Sequence, residues 1–140
     1  MDALQIKLCD VQGRLFELSI ENKISSEDFV RKFMTSETAK RLDSKYNHLQ
    51  WAGEEYIMEN IMSENKDGLK NGEVYPKDIL YWMGYIYRYW HYYNGESSAK
   101  IYKEAPFKTM KQNYLMFHTM DPSLAVEKLR EIAGLHNSEV

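Results

Sequence analysis

Ile79-Leu80-Tyr81-Trp82-Met83-Gly84-Tyr85-Ile86-Tyr87-Arg88-Tyr89-Trp90-His91-Tyr92-Tyr93 is the most aromatic stretch of a 140-residue chain. Eight of the last thirteen positions are Tyr or Trp, and Arg88 is the one formal charge among them. An ordinary surface helix needs a wide polar face, and this segment has none. Either the rest of the chain wraps it, or it presents rings to a partner. Each Tyr also carries a hydroxyl that needs a partner when buried.

The flanks give the segment its boundaries. Pro76 with Asp78 in the following turn is a helix-start signal, and Asn94-Gly95 is a stop. A helix over 76–93 is therefore expected. Ser97 and Ser98 cap a short helix that reaches Ala105, before Pro106. Phe107, Met110, Tyr114, Leu115 and Phe117 mark a further helix to about 118. Asp121-Pro122 opens a last one, striped by Leu124, Val126, Leu129 and Ile132, which Gly134 is expected to stop. Towards the N-terminus, Leu4, Leu8, Val11, Leu15 and Leu18 form a stripe, with Gly13 weakening that helix by about 1 kcal/mol relative to Ala. Ser25-Ser26 and Ser36 start two short helices. Leu49, Ala52, Tyr56, Ile57 and Ile61 line a helix over 48–63. No segment alternates at period two for long enough to make a strand. The polar stretch 64–75, with Gly68 and Gly72, reads as a loop between two helical halves, about 1–63 and 76–134. The fold expected is all-α: one compact single-domain bundle of about six helices, with the aromatic helix at its centre.

Composition narrows the function classes. The apolar fraction is 44%, ordinary for a globular protein, and aromatics reach 14%. A formal charge of −3 gives no global pull toward nucleic acid or an anionic membrane. No basic region followed by an apolar run opens the chain, and the aromatic stretch is too short and polar to span a bilayer, so a cytoplasmic protein is expected. Cys9 is the lone cysteine and reads as a buried or half-buried thiol.

Two charges stand out. Trp51, Glu55, Met58 and Met62 are spaced four, three and four apart, which would place Glu55 on an apolar strip. Arg88 is the matching oddity. Buried charges are usually paired, so Glu55 or Glu54 is the expected partner of Arg88. The sharper alternative is a nucleotide- or anion-binding pocket built from Arg88, His91 and tyrosine hydroxyls, within an enzyme or a binding protein. His48, His91, His118 and His136 show no metal-binding spacing, and no metal or cofactor is expected. His118 suits a helix C-terminus, and His91 suits a hydrogen-bonded core position. Lys100, Lys103, Lys108 and Lys111 stand against Glu96 and Glu104, with Tyr102 and Phe107 interleaved. A DNA-binding regulator is the third reading, but that excess of charge offers few phosphate contacts.

The run Trp82–Trp90, then Gly95-Glu96-Ser97-Ser98-Ala99-Lys100-Ile101-Tyr102-Lys103, then Tyr114, His118-Thr119-Met120-Asp121-Pro122 and Ala125-Val126-Glu127, resembles a small bacterial family. The likeness covers about 60 residues of the C-terminal half. That family is associated with genes beside toxin-like, including ADP-ribosyltransferase-like, proteins. The resemblance implies an antitoxin-like role and a protein partner, with no catalytic residues to carry over. Tyr, Trp, Arg and Met dominate interface hot spots, and this chain has them in excess. The expected function is therefore an antitoxin or immunity protein that neutralises its partner by direct contact. Tyr92 and Tyr93, beside the Asn94-Gly95 turn, are the expected contact rings. Lys100, Tyr102 and Lys103 on the next helix would add a rim suited to an acidic partner.

Overall fold

The segment 77–94 forms an 18-residue helix, and the chain wraps it. The computed structural model describes residues 1–45 and 47–138, the side chains of 135–138 excepted, so His136 lies outside the described side chains. In chain order the helices are α1 (Ala3–Leu18), α2 (Ser26–Met34), α3 (Glu37–Asp43), α4 (Glu54–Glu64), α5 (Lys77–Asn94), α6 (Ser98–Glu104), α7 (Phe107–Phe117) and α8 (Pro122–Ser138). Single 3-10 turns occupy Ser19–Asn22 and His48–Trp51. The domain is all-α, with eight α-helices and no strand among the described residues. The count is eight and not about six, one helix for each segment marked in the sequence: α2 and α3 are separately capped by Ser25 and Ser36, and Pro106 divides α6 from α7.

Local chemistry sets the ends. Asp2 and Gln5 form a reciprocal capping box on α1. Ser97 caps α6 by accepting the Lys100 N–H. Gly95 closes α5 in the left-handed region at φ 76°. Gly134 does not stop α8, which continues to Ser138. Its φ is not left-handed, so it stays in the helix at the modest cost glycine carries there.

α1 and α5 cross at a glycine contact. A Cβ added to Gly84 would lie 2.4 Å from the Gln12 carbonyl oxygen and 2.9 Å from the Gly13 Cα. Gly13, which weakens α1 in isolation, is thus what lets α5 approach. Gln12, buried at this crossing, donates to the Gly84 carbonyl at 3.0 Å. Below it, Phe16 packs edge-on against Phe29, Phe33 and Tyr87, with ring centroids 5.8, 5.5 and 6.2 Å apart.

The 64–75 loop does more than connect. Ser25 and Ser26 donate their N–H groups to the carbonyls of Lys70 and Glu73, at 2.8 and 2.9 Å. The Lys70 N–H returns to Asp28 Oδ2 at 3.0 Å, and the Tyr75 N–H to Ser26 Oγ at 2.9 Å. The loop is stitched to the start of α2, so the two helical halves share one body. Asp28 is buried, which raises its pKa, but the Lys70 N–H, Arg31 and Lys32 outweigh that and hold it below the usual carboxylate range.

Candidate functional site

Arg88 is 1% exposed, as a lone charge in an aromatic helix should be. Its partner is Asp43 at the end of α3, with Nη1 2.7 Å from Oδ1. Neither Glu55 nor Glu54 takes that role. The expectation failed because 48–63 is not one helix. Residues 48–51 form a 3-10 turn, Ala52 and Gly53 are extended, and α4 starts afresh at Glu54. The strip shared by Trp51, Glu55, Met58 and Met62 therefore breaks: Trp51 is 79% exposed, Met62 41%, and Glu55 is exposed, while Met58 is buried.

Every nitrogen of the Arg88 guanidinium is occupied. Nε donates to Gln12 Oε1 at 2.8 Å, and Nη2 to Ser98 Oγ at 3.3 Å. Ser98 in turn donates its hydroxyl and its backbone N–H to the two Asp43 oxygens, at 2.7 and 2.8 Å. The cluster ties α1, α3, α5 and α6 together, and it leaves no free fork for a phosphate. His91 sits at its edge, with Nδ1 donating to the Glu96 carbonyl at 2.6 Å and lying 3.7 Å from Asp43 Oδ1. Tyr92 leans toward Arg88, 5.9 Å from guanidinium carbon to ring centroid, and its buried hydroxyl has no hydrogen-bond partner among the described residues. Cys9 is buried, and burial pushes its thiol up to about 12, so it is inert.

The expected contact residues face different neighbours. Tyr92 is half-buried and turned toward the Arg88 cluster. Tyr93 is 42% exposed and donates to Glu127 of α8 at 2.6 Å. Tyr102 is half-buried beside Tyr87, and Lys100 and Lys103 stand exposed on α6.

A different set of rings comes together. Tyr81, Tyr85, Tyr89 and Tyr93 lie one helical turn apart on α5, with successive centroids 6.1, 6.4 and 5.9 Å apart. The last two pairs are stacked. The first three rings are half-buried and Tyr93 is exposed. Beside this row runs an open groove of about 450 Å³, where Tyr81, Trp82 and Tyr85 face Tyr114 of α7 and His118, the residue that caps its end. Trp82 meets Tyr114 edge-on at 5.7 Å, and His118 stacks on Tyr114 at 4.4 Å while its Nδ1 donates to the Tyr114 carbonyl at 2.8 Å. A second cleft of about 870 Å³ adjoins it and shares Glu17 and Tyr81. Its walls include Asp10, Glu21, Glu54 and Glu55. This placement gives Glu55 its surroundings: an acidic cleft at the surface.

One further pair had no sequence signal. Glu96 Oε1 accepts from Trp90 Nε1 at 3.4 Å and from Asn94, and lies 3.6 Å from Arg130 Nε. The Oε2 atoms of Glu96 and Glu104 are both buried without another partner. Neighbouring carboxylates disfavour each other's ionised form, and a hydrogen bond between them requires that one be protonated. Burial and then the Glu96 hydrogen bond push Glu104 up to about 7. Burial also raises Glu96, but bonds from Glu104, Trp90 and Asn94 outweigh it and hold Glu96 low.

Among the described residues no group of three His, Cys, Asp or Glu side chains could hold a metal ion, and no helix is long and apolar enough to cross a membrane. Compared with family models, curated proteins and solved structures, the chain matches none.

Proposed function

We propose that the chain is a protein-binding module, the antitoxin half of a bacterial toxin pair, acting in the cytoplasm by direct contact with its partner. The observation that supports this reading is the row Tyr81–Tyr85–Tyr89–Tyr93, its last two pairs stacked, beside an open groove. Four large rings held by one another present area to a partner at low entropic cost. A core-only role would have buried them fully, as it did Tyr87 and Trp90, which are 1% and 0% exposed, whereas Tyr81, Tyr85 and Tyr89 are half-buried and Tyr93 is exposed. Other large apolar side chains also reach solvent, notably Leu115 at 81% and Met116 at 70% on α7. Groups that could serve an enzyme are committed elsewhere: Arg88 to Asp43, Gln12 and Ser98, and His91 and His118 to carbonyls. The resemblance to a family encoded beside toxin-like genes points the same way.

The test is co-expression with the product of the adjacent gene. The chain is expected to co-purify with that protein in fixed ratio and to restore growth of cells that express it. Separate elution with no rescue of growth removes the reading.

A further inference from the structure

We infer that the groove between α5 and α7 receives a basic amphipathic segment of the partner, with apolar side chains against Tyr85 and Tyr114 and Arg or Lys side chains over the adjoining acidic cleft. The inference rests on the protein-binding reading and adds the chemistry of what is bound.

The two clefts share Glu17 and Tyr81, so one segment can occupy both. The groove supplies apolar area through Tyr85, Tyr114 and Met120, over the buried Trp82. The charge beside it is one-sided. Two cations line the pair of clefts, and both are already in ion pairs: Arg14 Nε lies 2.9 Å from Asp10, and Lys77 Nζ 3.6 Å from Glu17. Glu21, Glu54, Glu55 and Asp78 line the same clefts without an ion pair among the described residues. Carboxylates that line one pair of adjoining clefts without cationic partners attract a cationic segment and repel an acidic one, over a range of about 8 Å at physiological salt. Arg on such a segment can also lie over the faces of Tyr81 and Tyr85. Nucleic acid is disfavoured by the same field, because its phosphates would meet carboxylates. So is a second copy of this chain, since a two-fold contact through the groove would set these acids against each other. The lysines of α6 had favoured an acidic partner, whereas the groove carries the opposite sign.

The test uses the full chain and three fluorescent amphipathic peptides, read by anisotropy. One carries Leu on one face and Arg on the other. The second replaces Arg with Glu, and the third keeps Arg but replaces Leu with Ser. The Arg/Leu peptide is expected to bind at least about tenfold more tightly than either control. Tyr85→Ala and the surface reversal Glu54→Lys with Glu55→Lys should each weaken it by about tenfold, and added salt should weaken it further. Ser63→Ala, exposed on α4 and outside both linings, should leave it unchanged. Equal binding of the Arg/Leu and Glu/Leu peptides overturns the inference. So does binding that survives the Glu54→Lys, Glu55→Lys reversal in protein with an unchanged circular dichroism spectrum. A free chain that sediments as a dimer, and as a monomer once Tyr85→Ala is made, also overturns it in favour of self-association. If the peptides fail while the chain still captures and neutralises its neighbour-encoded protein, the basic-segment chemistry is wrong and the binding-module reading stands. If capture fails as well, both fall.

Discussion

Arg88 shows what a single residue in a sequence can reveal. A lone guanidinium inside an aromatic helix must be buried and paired, and it is. Its partner could not be read, because Asp43 lies 45 residues away and carries no periodic mark. Glu55 carried a misleading one, produced by running a helical repeat across Gly53, where the backbone is extended. Breaking a buried pair from one side costs about 3–5 kcal/mol, so Arg88→Met and Asp43→Ala should each lose that much in urea denaturation. Glu55→Gln should stay within about 0.5 kcal/mol, as exposed changes do. Equal losses at Asp43 and Glu55 would contradict the assignment. The Glu96–Glu104 pair makes a prediction about pH. The Glu104 carboxyl has a folded pKa of about 7 against 4.5 for the free group. An acid raised in this way contributes its full stability below 4.5 and loses it as pH rises through about 7. The carboxamide of Glu104→Gln keeps a donor toward Glu96 at every pH. The variant's denaturation midpoint should therefore gain on the wild type as pH goes from 5 to 8. A constant difference across that range would mean that the two carboxyls share no proton.

At the scale of elements, helix starts were legible where proline and serine caps act locally: Pro76, Ser97 and Asp121-Pro122 mark α5, α6 and α8, whereas α4 begins after Gly53, which offers no side-chain cap, and its start was missed. What each helix packs against was not legible. Gly13 read as a weakness in α1, and Gly84 as one small residue among rings. Their meaning is joint, since α1 and α5 meet there, and a contact between residues 71 positions apart leaves no pattern in either helix alone. Gly84→Ala would drive a methyl into the Gln12 backbone, which cannot move as a side-chain tip can. A loss of at least about 1–3 kcal/mol is expected from thermal or chemical denaturation. Gly134→Ala is the control. Its added methyl meets nothing within 4 Å, and it should stabilise α8 by up to about 1 kcal/mol. If both alanines behave alike, close approach is not what Gly84 provides. The loop 64–75 was read from its polarity as a connector. Its backbone bonds to α2 could not be foreseen, because they use main-chain groups that every sequence possesses.

For the whole molecule, the all-α class followed from helical spacing throughout the chain. The surface did not follow. A helix rich in aromatics must leave some rings outside, but which ones depends on where α1, α7 and α8 lie. Tyr92 turned toward Arg88, and the open row became Tyr81, Tyr85, Tyr89 and Tyr93. The central claim is that this row and its groove are where the partner binds. The most direct test is calorimetric titration of the purified neighbour-encoded protein with the wild-type chain and with Tyr85→Ala, Tyr93→Ala protein of unchanged helicity. Losing two hot-spot rings should weaken binding by at least about thirtyfold, corresponding to about 2 kcal/mol or more. Undiminished affinity in the folded double variant would contradict the claim.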